Sequence, residues 1–206
     1  MIQTKDLSMV GYSGHSYVCI DAALSMGHQI IGYFEKEEKA LNPYQLQFLG
    51  SETDESAVNS TDAMLFVGIG NNVVRQRICK SPHISLKLAN LIHDKSYISS
   101  TVILGRGILV AAGAVINPMA IISDGVICNT NATIEHECFI GAFSHVAPGA
   151  ALAGSVRLGQ RVFVGANSVI KEGVTIADDV IIGAGSVVLE DIAKPGTYVG
   201  APARMV

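Results

Sequence analysis

A small α/β domain followed by a parallel β-solenoid is the fold this 206-residue sequence predicts, on three observations. From residue 98 onward apolar residues recur every six positions. Before that point short apolar runs alternate with helical segments. The composition, with 21 Gly, no Trp and 6% aromatic residues, favours closely spaced backbone with small side chains between. The length allows a modest first domain, placed at 1–92, and a longer second one at 93–206.

In the first domain, Leu7 to Gly11 reads as a buried strand that enters the turn Gly11-Tyr12-Ser13-Gly14-His15. Ser16 to Met26 has helical composition and stops at Gly27, a residue suited to the left-handed position after a helix. A second strand, Gln29 to Phe34, leads to Glu35. Residues 36–60 are polar and charged and read as loop with room for a short helix. A third strand, Ala63 to Gly68, runs into Ile69-Gly70-Asn71-Asn72 and a helix carrying Val74 and Ile78 at i,i+4, which stops near Ser81-Pro82. This alternation predicts a small parallel sheet with helices, a truncated Rossmann-like unit.

The second domain rests on two columns. Ile98, Leu104, Val110, Ile116, Ile122, Cys128, Ile134, Ile140, Val146, Leu152, Leu158, Val164, Ile170, Ile176, Ile182 and Val188 are all Ile, Leu, Val or Cys. With roughly a third of residues of these types, chance gives such a run with a probability on the order of 10^-8. Two positions earlier stands a column of small or β-branched residues, from Val102 and Ile108 to Val180 and Ser186. Residues i and i−2 of a strand point the same way, so both columns line one interior. Gly105, Gly141, Gly159, Gly165 and Gly183 follow the larger column, where the backbone is expected to turn. A period of six does not hold a helix face in register, which leaves short stacked strands.

Charge and patterning narrow the function. Fourteen basic against eighteen acidic residues give a net charge of −4 with no basic cluster, so nucleic acid is not an expected partner. No uncharged apolar run reaches 18 residues, so no membrane span is expected, and Met1 to Asp6 lacks the basic head of a secretory leader; the expectation is a cytoplasmic protein. Cys19, Cys79, Cys128 and Cys138 form no CxxC pair and read as reduced core thiols.

Gly11-x-x-Gly14 departs from the dinucleotide fingerprint, since Ser13 and Ser16 replace its later glycines. An open helix N-terminus remains, suited to a phosphate or pyrophosphate, and equally a plain tight turn. Glu35 stands at a strand end where an acid meets a ribose hydroxyl or is simply solvated. Of the six histidines, none forms HExxH or another metal-ligand spacing, and no metal is expected. His136 falls at a corner of the repeat, flanked by Glu135 and Glu137, and His145 points outward from a flat face, both expected to be open to ligand. An imidazole beside a carboxylate is the usual general base. One coil after His136 comes Gly154, which leaves space above the ring. The outward residues Ile127, Phe163 and Ile181, stacked on one face with His145 between the first two, suit a groove or interface as well as plain surface.

The stretch Asn129-Thr-Asn-Ala-Thr-Ile-Glu-His-Glu-Cys-Phe-Ile-Gly-Ala-Phe-Ser-His-Val-Ala-Pro-Gly149 resembles the sialic-acid O-acetyltransferase type family of hexapeptide-repeat sugar acetyltransferases, and within it the UDP-4-amino-sugar N-acetyltransferases of bacillosamine synthesis. Gly11 to His15, Ile69-Gly70-Asn71-Asn72 and Tyr198-Val-Gly-Ala-Pro-Ala-Arg204 agree, so the resemblance spans nearly the whole chain. It implies a left-handed parallel β-helix over about residues 97–190, with three hexads per triangular coil. It implies transfer of acetyl from acetyl-CoA to the 4-amino group of a UDP-linked 4-amino-4,6-dideoxy sugar. His136 would be the base and Glu137 the group that raises its basicity. His145 and Asn129 would donate to the thioester oxygen, and Gly154, Ala166 and Ala184 would line the acetyl-CoA groove. Ser13, Gly14, His15, Glu35, Gly70 and Asn71 would hold the nucleotide sugar. A homotrimer with sites between subunits is implied as well. Where family members carry two acids at the end of the second strand, this chain has Glu35 and Lys36. Acetylation of a sugar hydroxyl and a non-catalytic nucleotide-sugar-binding scaffold are the alternatives at this point.

Overall fold

The computed structural model describes residues 6–206; the segment read for a secretory leader lies almost wholly outside them. The first domain is a four-stranded parallel sheet in the order β3-β2-β1-β4, from β1 (Asp6–Val10), β2 (Gln29–Phe34), β3 (Gln47–Phe48) and β4 (Met64–Val67). Helix α1 (Gly14–Ser25) joins β1 to β2, α2 (Glu55–Asn59) precedes β4, and α3 (Asn72–Cys79) and α4 (Pro82–Ser85) follow it. Gly27 takes φ +79° and closes α1 through Gly27 N to Leu24 O and His28 N to Ala23 O, as its sequence position predicts.

Two short elements escape the sequence reading. β3 has two residues, too few to show a period, and pairs with β2 at the sheet edge. Pro82 ends nothing: it opens α4 at the first helical turn, where its missing N–H costs no hydrogen bond.

The second domain is a parallel β-helix of triangular section. One face stacks Leu91–Ile92, Leu109–Val110, Ile127–Cys128, His145–Val146, Phe163–Val164 and Val180–Ile182. A second runs from Tyr97–Ile98 to Val187–Val188, and a third from Ile103–Leu104 to Thr175–Ile176. Partners lie eighteen residues apart, as in Ile127 opposite His145, so each coil is three hexads. Both sequence columns point inward and form one continuous core, with only Ile98, Val102 and Leu104 at its lower end partly open.

The corners turn differently from the sequence expectation. The glycines after the larger column have no positive φ; they serve close stacking, since a Cβ at Gly141 would collide with the carbonyl of Gly159. The left-handed residue falls three positions after the core residue instead, at every sixth position from Gly107 to Gly185, and eight of those fourteen are not glycine: Met119, Asn131, Glu137, Phe143, Ser155, Arg161, Asn167 and Asp179.

The first domain sits on the first face. Leu91, Leu109 and Ile127 pack under α1 and β1 in one core with Leu7, Met9, Ile20 and Phe66. Ile127 is therefore covered by the chain's own first domain and belongs to no outer groove, whereas Ile181, three coils higher and beyond the cover, is 46% exposed. All four cysteines are buried and unbridged.

Candidate active site

Arg75 organises the junction. It lies on the buried stripe of α3 with Ile78 and Cys79, at i, i+3 and i+4, and is 1% exposed. Nε donates to Gly125 O, Nη1 to Ile69 O and Gly70 O, and Nη2 to Asn72 Oδ1 and Phe143 O, all between 2.7 and 3.0 Å. Asn72 Nδ2 adds bonds to Arg161 O and Val162 O. The Ile69-Gly70-Asn71-Asn72 segment is thereby fastened to the β-helix, and Asn71 caps α3 through Val74 N.

Above this fastening is a cleft of about 480 Å3 lined by His15, Gly70, Asn71, Asn72, His145, Arg161, Phe163 and Asp179 among others. His145 does point out of its strand, but the first domain covers it: it is 6% exposed, correcting the expectation of an open imidazole. Its Nε2 accepts from Asn129 Nδ2 at 3.0 Å and its Nδ1 faces Gly70 O at 3.4 Å, which makes Nδ1 the protonated nitrogen and leaves neither free to donate. The ring stands 5.6 Å from that of His15 and edge-on to Phe163 at 5.1 Å. Burial, then the Arg75 charge, lowers His145 to about 3 and His15 to about 4, so both are neutral at physiological pH. His15 Nε2 is buried without a hydrogen-bond partner among the described residues, a polar atom facing the cleft with its bond unmade.

Ser13 and Gly14 begin α1 and border a second cavity, about 470 Å3, with Tyr12, Tyr17, Lys39, Ala40 and Leu41. The Ser13 side chain makes no cap bond, and a Cβ on Gly14 would meet nothing within 4 Å. Nothing in the protein itself requires glycine there, whereas a ligand against the helix N-terminus would. Glu35 is already engaged: it accepts from Tyr12 N and Lys36 N at 3.2 Å each and pairs with Lys39 at 3.5 Å, bracing the Gly11–Ser13 turn.

His136 lies elsewhere. It follows the second-face strand Thr133–Ile134 and precedes the third-face strand Phe139–Ile140, so it marks the corner opposite the covered face. Its Nδ1 is 3.0 Å from Glu137 Oε2, and both side chains are more than half exposed. A carboxylate on Nδ1 fixes the tautomer and leaves Nε2 as the acceptor. The Cβ that Gly154 lacks would stand 2.5 Å from His136 Cε1 and 2.7 Å from Nε2, so glycine keeps that nitrogen open. Gly154 thus leaves room for the His136 ring. Ala166 and Ala184 occupy yet another corner, after the first face, stacked one coil apart and joined by Gly185 N to Ala166 O at 2.8 Å. Within one chain the expected residues form two groups: the His136 corner, and the cleft with the Ala166–Ala184 corner. Among the described residues no three His, Cys, Asp or Glu side chains are grouped to hold a metal ion.

Sequence reasoning missed Arg75, Asn72 and the bidentate Arg161–Asp179 pair, whose bonds are 2.7 Å. Arg75 had a signal, a cation inside an apolar helical stripe. Arg161 had none, because its partner stands one coil away.

A hexad β-helix that carries an exposed His–Glu pair and supports a nucleotide-type α/β domain defines the class as a hexapeptide-repeat acyltransferase. Residues 6–81 match the PglD N-terminal domain family and residues 155–190 match the bacterial transferase hexapeptide (six repeats) family. The acetyltransferase domain of PglB from Neisseria gonorrhoeae FA1090, solved in complex with acetyl coenzyme A, superposes with a TM-score of 0.91 at 30% identity, covering 98% of this chain and 100% of that one. PerB from Caulobacter crescentus, solved with CoA and GDP-perosamine, gives 0.91 at 32% identity, covering 100% and 98%. WeeI from Acinetobacter baumannii AYE shares the fold, with a TM-score of 0.84 at 22% identity over 98% and 100%. The chain belongs to the PglD-type family of hexapeptide-repeat sugar acetyltransferases, and its β-helix is of the left-handed kind.

Proposed function

We propose that this protein transfers acetyl from acetyl-CoA to the 4-amino group of a nucleotide-linked 4-amino-4,6-dideoxy sugar. The observation that carries the reading is the His136–Glu137 pair, with Nδ1 turned to the carboxylate and Nε2 kept open by Gly154. PerB, at 32% identity over the whole chain, was solved with a nucleotide-linked amino sugar and CoA, which supports an amine acceptor over a hydroxyl.

The sugar amine attacks the thioester carbonyl, its proton passes to His136 Nε2, the C–S bond breaks, and the imidazolium protonates the departing thiolate. An amine is nucleophilic without a covalent intermediate, so one base suffices. Since both nitrogens of His145 are committed, the donor left for the thioester oxygen is the second N–H of Asn129 Nδ2, which His145 orients. Ser13, Gly14 and the α1 N-terminus would take the diphosphate, and His15 Nε2, Gly70 and Asn71 the sugar. Ala166 and Ala184 would allow the pantetheine arm to lie close.

The opposed positions of the two residue groups support a homotrimer in which the His136 corner of one subunit meets the cleft of the next. A cytoplasmic location goes with this reading; among the described residues no helix is long and apolar enough to cross a membrane.

The test is release of CoA thiol with acetyl-CoA and a panel of nucleotide-linked 4-amino sugars. His136→Ala is expected to lower kcat by about 10^2 to 10^4-fold with the fold intact. Mixing His136→Ala chains with Asn129→Ala chains, each nearly inactive, is expected to restore part of the rate, because mixed trimers contain intact sites. Undiminished release by His136→Ala refutes the base assignment, and release only with hydroxyl acceptors moves the protein to O-acetylation.

A further inference from the structure

Glu52 makes no contact that explains it. The residue is 8% exposed, its Oε2 is buried with no hydrogen-bond partner, and no cation lies within ion-pair distance of it among the described residues. A buried carboxylate oxygen without a partner is costly, and the cost is recovered when a ligand supplies the donor. The turn that presents Glu52 is firmly built, by Asp54 N to Ser51 O and by His83 Nε2 to the Glu52 carbonyl.

Glu52 lines a cavity of about 500 Å3 with Lys36, Arg77, Ile78, His83 and Ile84. Lys36 stands two residues beyond the end of β2 and Glu52 four beyond β3, at the carboxyl ends of the strands, where open α/β sheets bind their ligands. The Gly11–Gly14 turn follows β1, the neighbour of β2, at the same carboxyl edge of the parallel sheet.

We infer that this cavity receives the base of the nucleotide sugar and that it selects guanine through Glu52. The inference rests on the reading of the chain as a nucleotide-sugar acetyltransferase. Guanine alone among the common bases presents two adjacent donors, N1–H and the N2 amine, to the two oxygens of a carboxylate. Its O6 and N7 accept from Lys or Arg, here Lys36 and Arg77, while Ile78 and Ile84 suit its faces. Uracil and thymine offer one donor flanked by carbonyl oxygens that a carboxylate repels. Adenine places an acceptor nitrogen beside its amine. Guanine thus replaces the uridine that the sequence resemblance implies.

Titration calorimetry on the full chain with GDP, UDP, dTDP, ADP and IDP tests this. GDP is expected to bind at least tenfold tighter than UDP or dTDP, and IDP, which lacks the N2 amine, at least fivefold weaker than GDP. Glu52→Gln is expected to lose most of the preference for GDP while UDP binding stays unchanged. The IDP comparison needs no variant and stands if Glu52→Gln does not fold. UDP binding as tightly as GDP, IDP equal to GDP, or an undiminished preference in a folded Glu52→Gln overturns the assignment of guanine and leaves the acetyltransferase reading intact. No binding of any nucleoside diphosphate, together with no acetyl transfer to any nucleotide-linked amino sugar, overturns both.

Discussion

Gly154 is where the proposed catalysis and the stability of the fold would part at a single atom. Its backbone is not in the left-handed region, and the groups that an added Cβ would strike belong to the exposed imidazole of His136. Gly154→Ala should therefore change the unfolding free energy by less than about 1 kcal/mol, since the ring can swing away into solvent. With His136 as the base of the proposed reaction, its displacement should lower kcat at least tenfold. Chemical denaturation beside thiol-release kinetics measures both; an active Gly154→Ala enzyme would mean that the ring position is not set from above. The two buried histidines make the opposite case. Their folded pKa values, about 3 for His145 and about 4 for His15, lie below the ordinary 6.5, so the unfolded chain binds protons that the folded chain refuses. Their stabilising contribution is complete above about pH 6.5 and is lost as pH falls toward 4 and then 3. Thermal midpoints should drop across that window in the unmodified protein, and less steeply in His145→Gln. Equal slopes would show that other groups govern the acid limb. The His136–Glu137 pair was legible in the sequence because both residues are neighbours in the chain. The burial of His145 was not, because its cover comes from residues more than seventy positions away.

At the scale of the hexad, side-chain columns and backbone corners carry information of different quality. The core columns were fully legible: an inward residue at every sixth position and another two before it leave no second arrangement. The corner column was obscured, since more than half of its left-handed positions carry ordinary side chains and the chain's more regular glycines serve stacking. Met119 shows what this costs. At φ 64° and 62% exposed it accepts the penalty of the left-handed region without a compensating contact for its side chain. Met119→Gly should raise stability by up to about 1 kcal/mol, against the usual effect of introducing glycine. A lower thermal midpoint for this variant would show that the corner strain is relieved elsewhere. Elements of two to four residues, such as β3 and α4, were illegible for a different reason: they are fixed by pairing partners and offer no period to read.

Across the whole molecule, the α/β sheet and the β-helix share apolar cores and are fastened further by one buried guanidinium. Arg75 reaches carbonyls of both, Ile69 and Gly70 on one side and Gly125 and Phe143 on the other, with no carboxylate paired to it among the described residues. Removing it orphans several buried acceptors together, so Arg75→Met should cost about 3 kcal/mol or more, read from urea unfolding. Arg75→Lys should rescue little, because an ammonium cannot present five donors in a planar fork. A small effect of either substitution would mean that water replaces the guanidinium at the junction. Within one chain the residues implied for the site stand apart at this scale, since His136 and the cleft occupy opposite sides of the same prism.

The eighteen-residue coil has a consequence for how such a chain can change length. Removing or adding a single hexad above His136 would rotate everything beyond it by one face: Gly154 would no longer lie over the imidazole, and Ala166 and Ala184 would move to a different corner. Removing or adding a full coil keeps every later residue on its own side and merely shortens or lengthens the prism. Insertions and deletions in this half of the molecule are therefore tolerated in steps of eighteen, a ratchet built into the backbone, while the polar segment 36–60 of the first domain is free of that arithmetic.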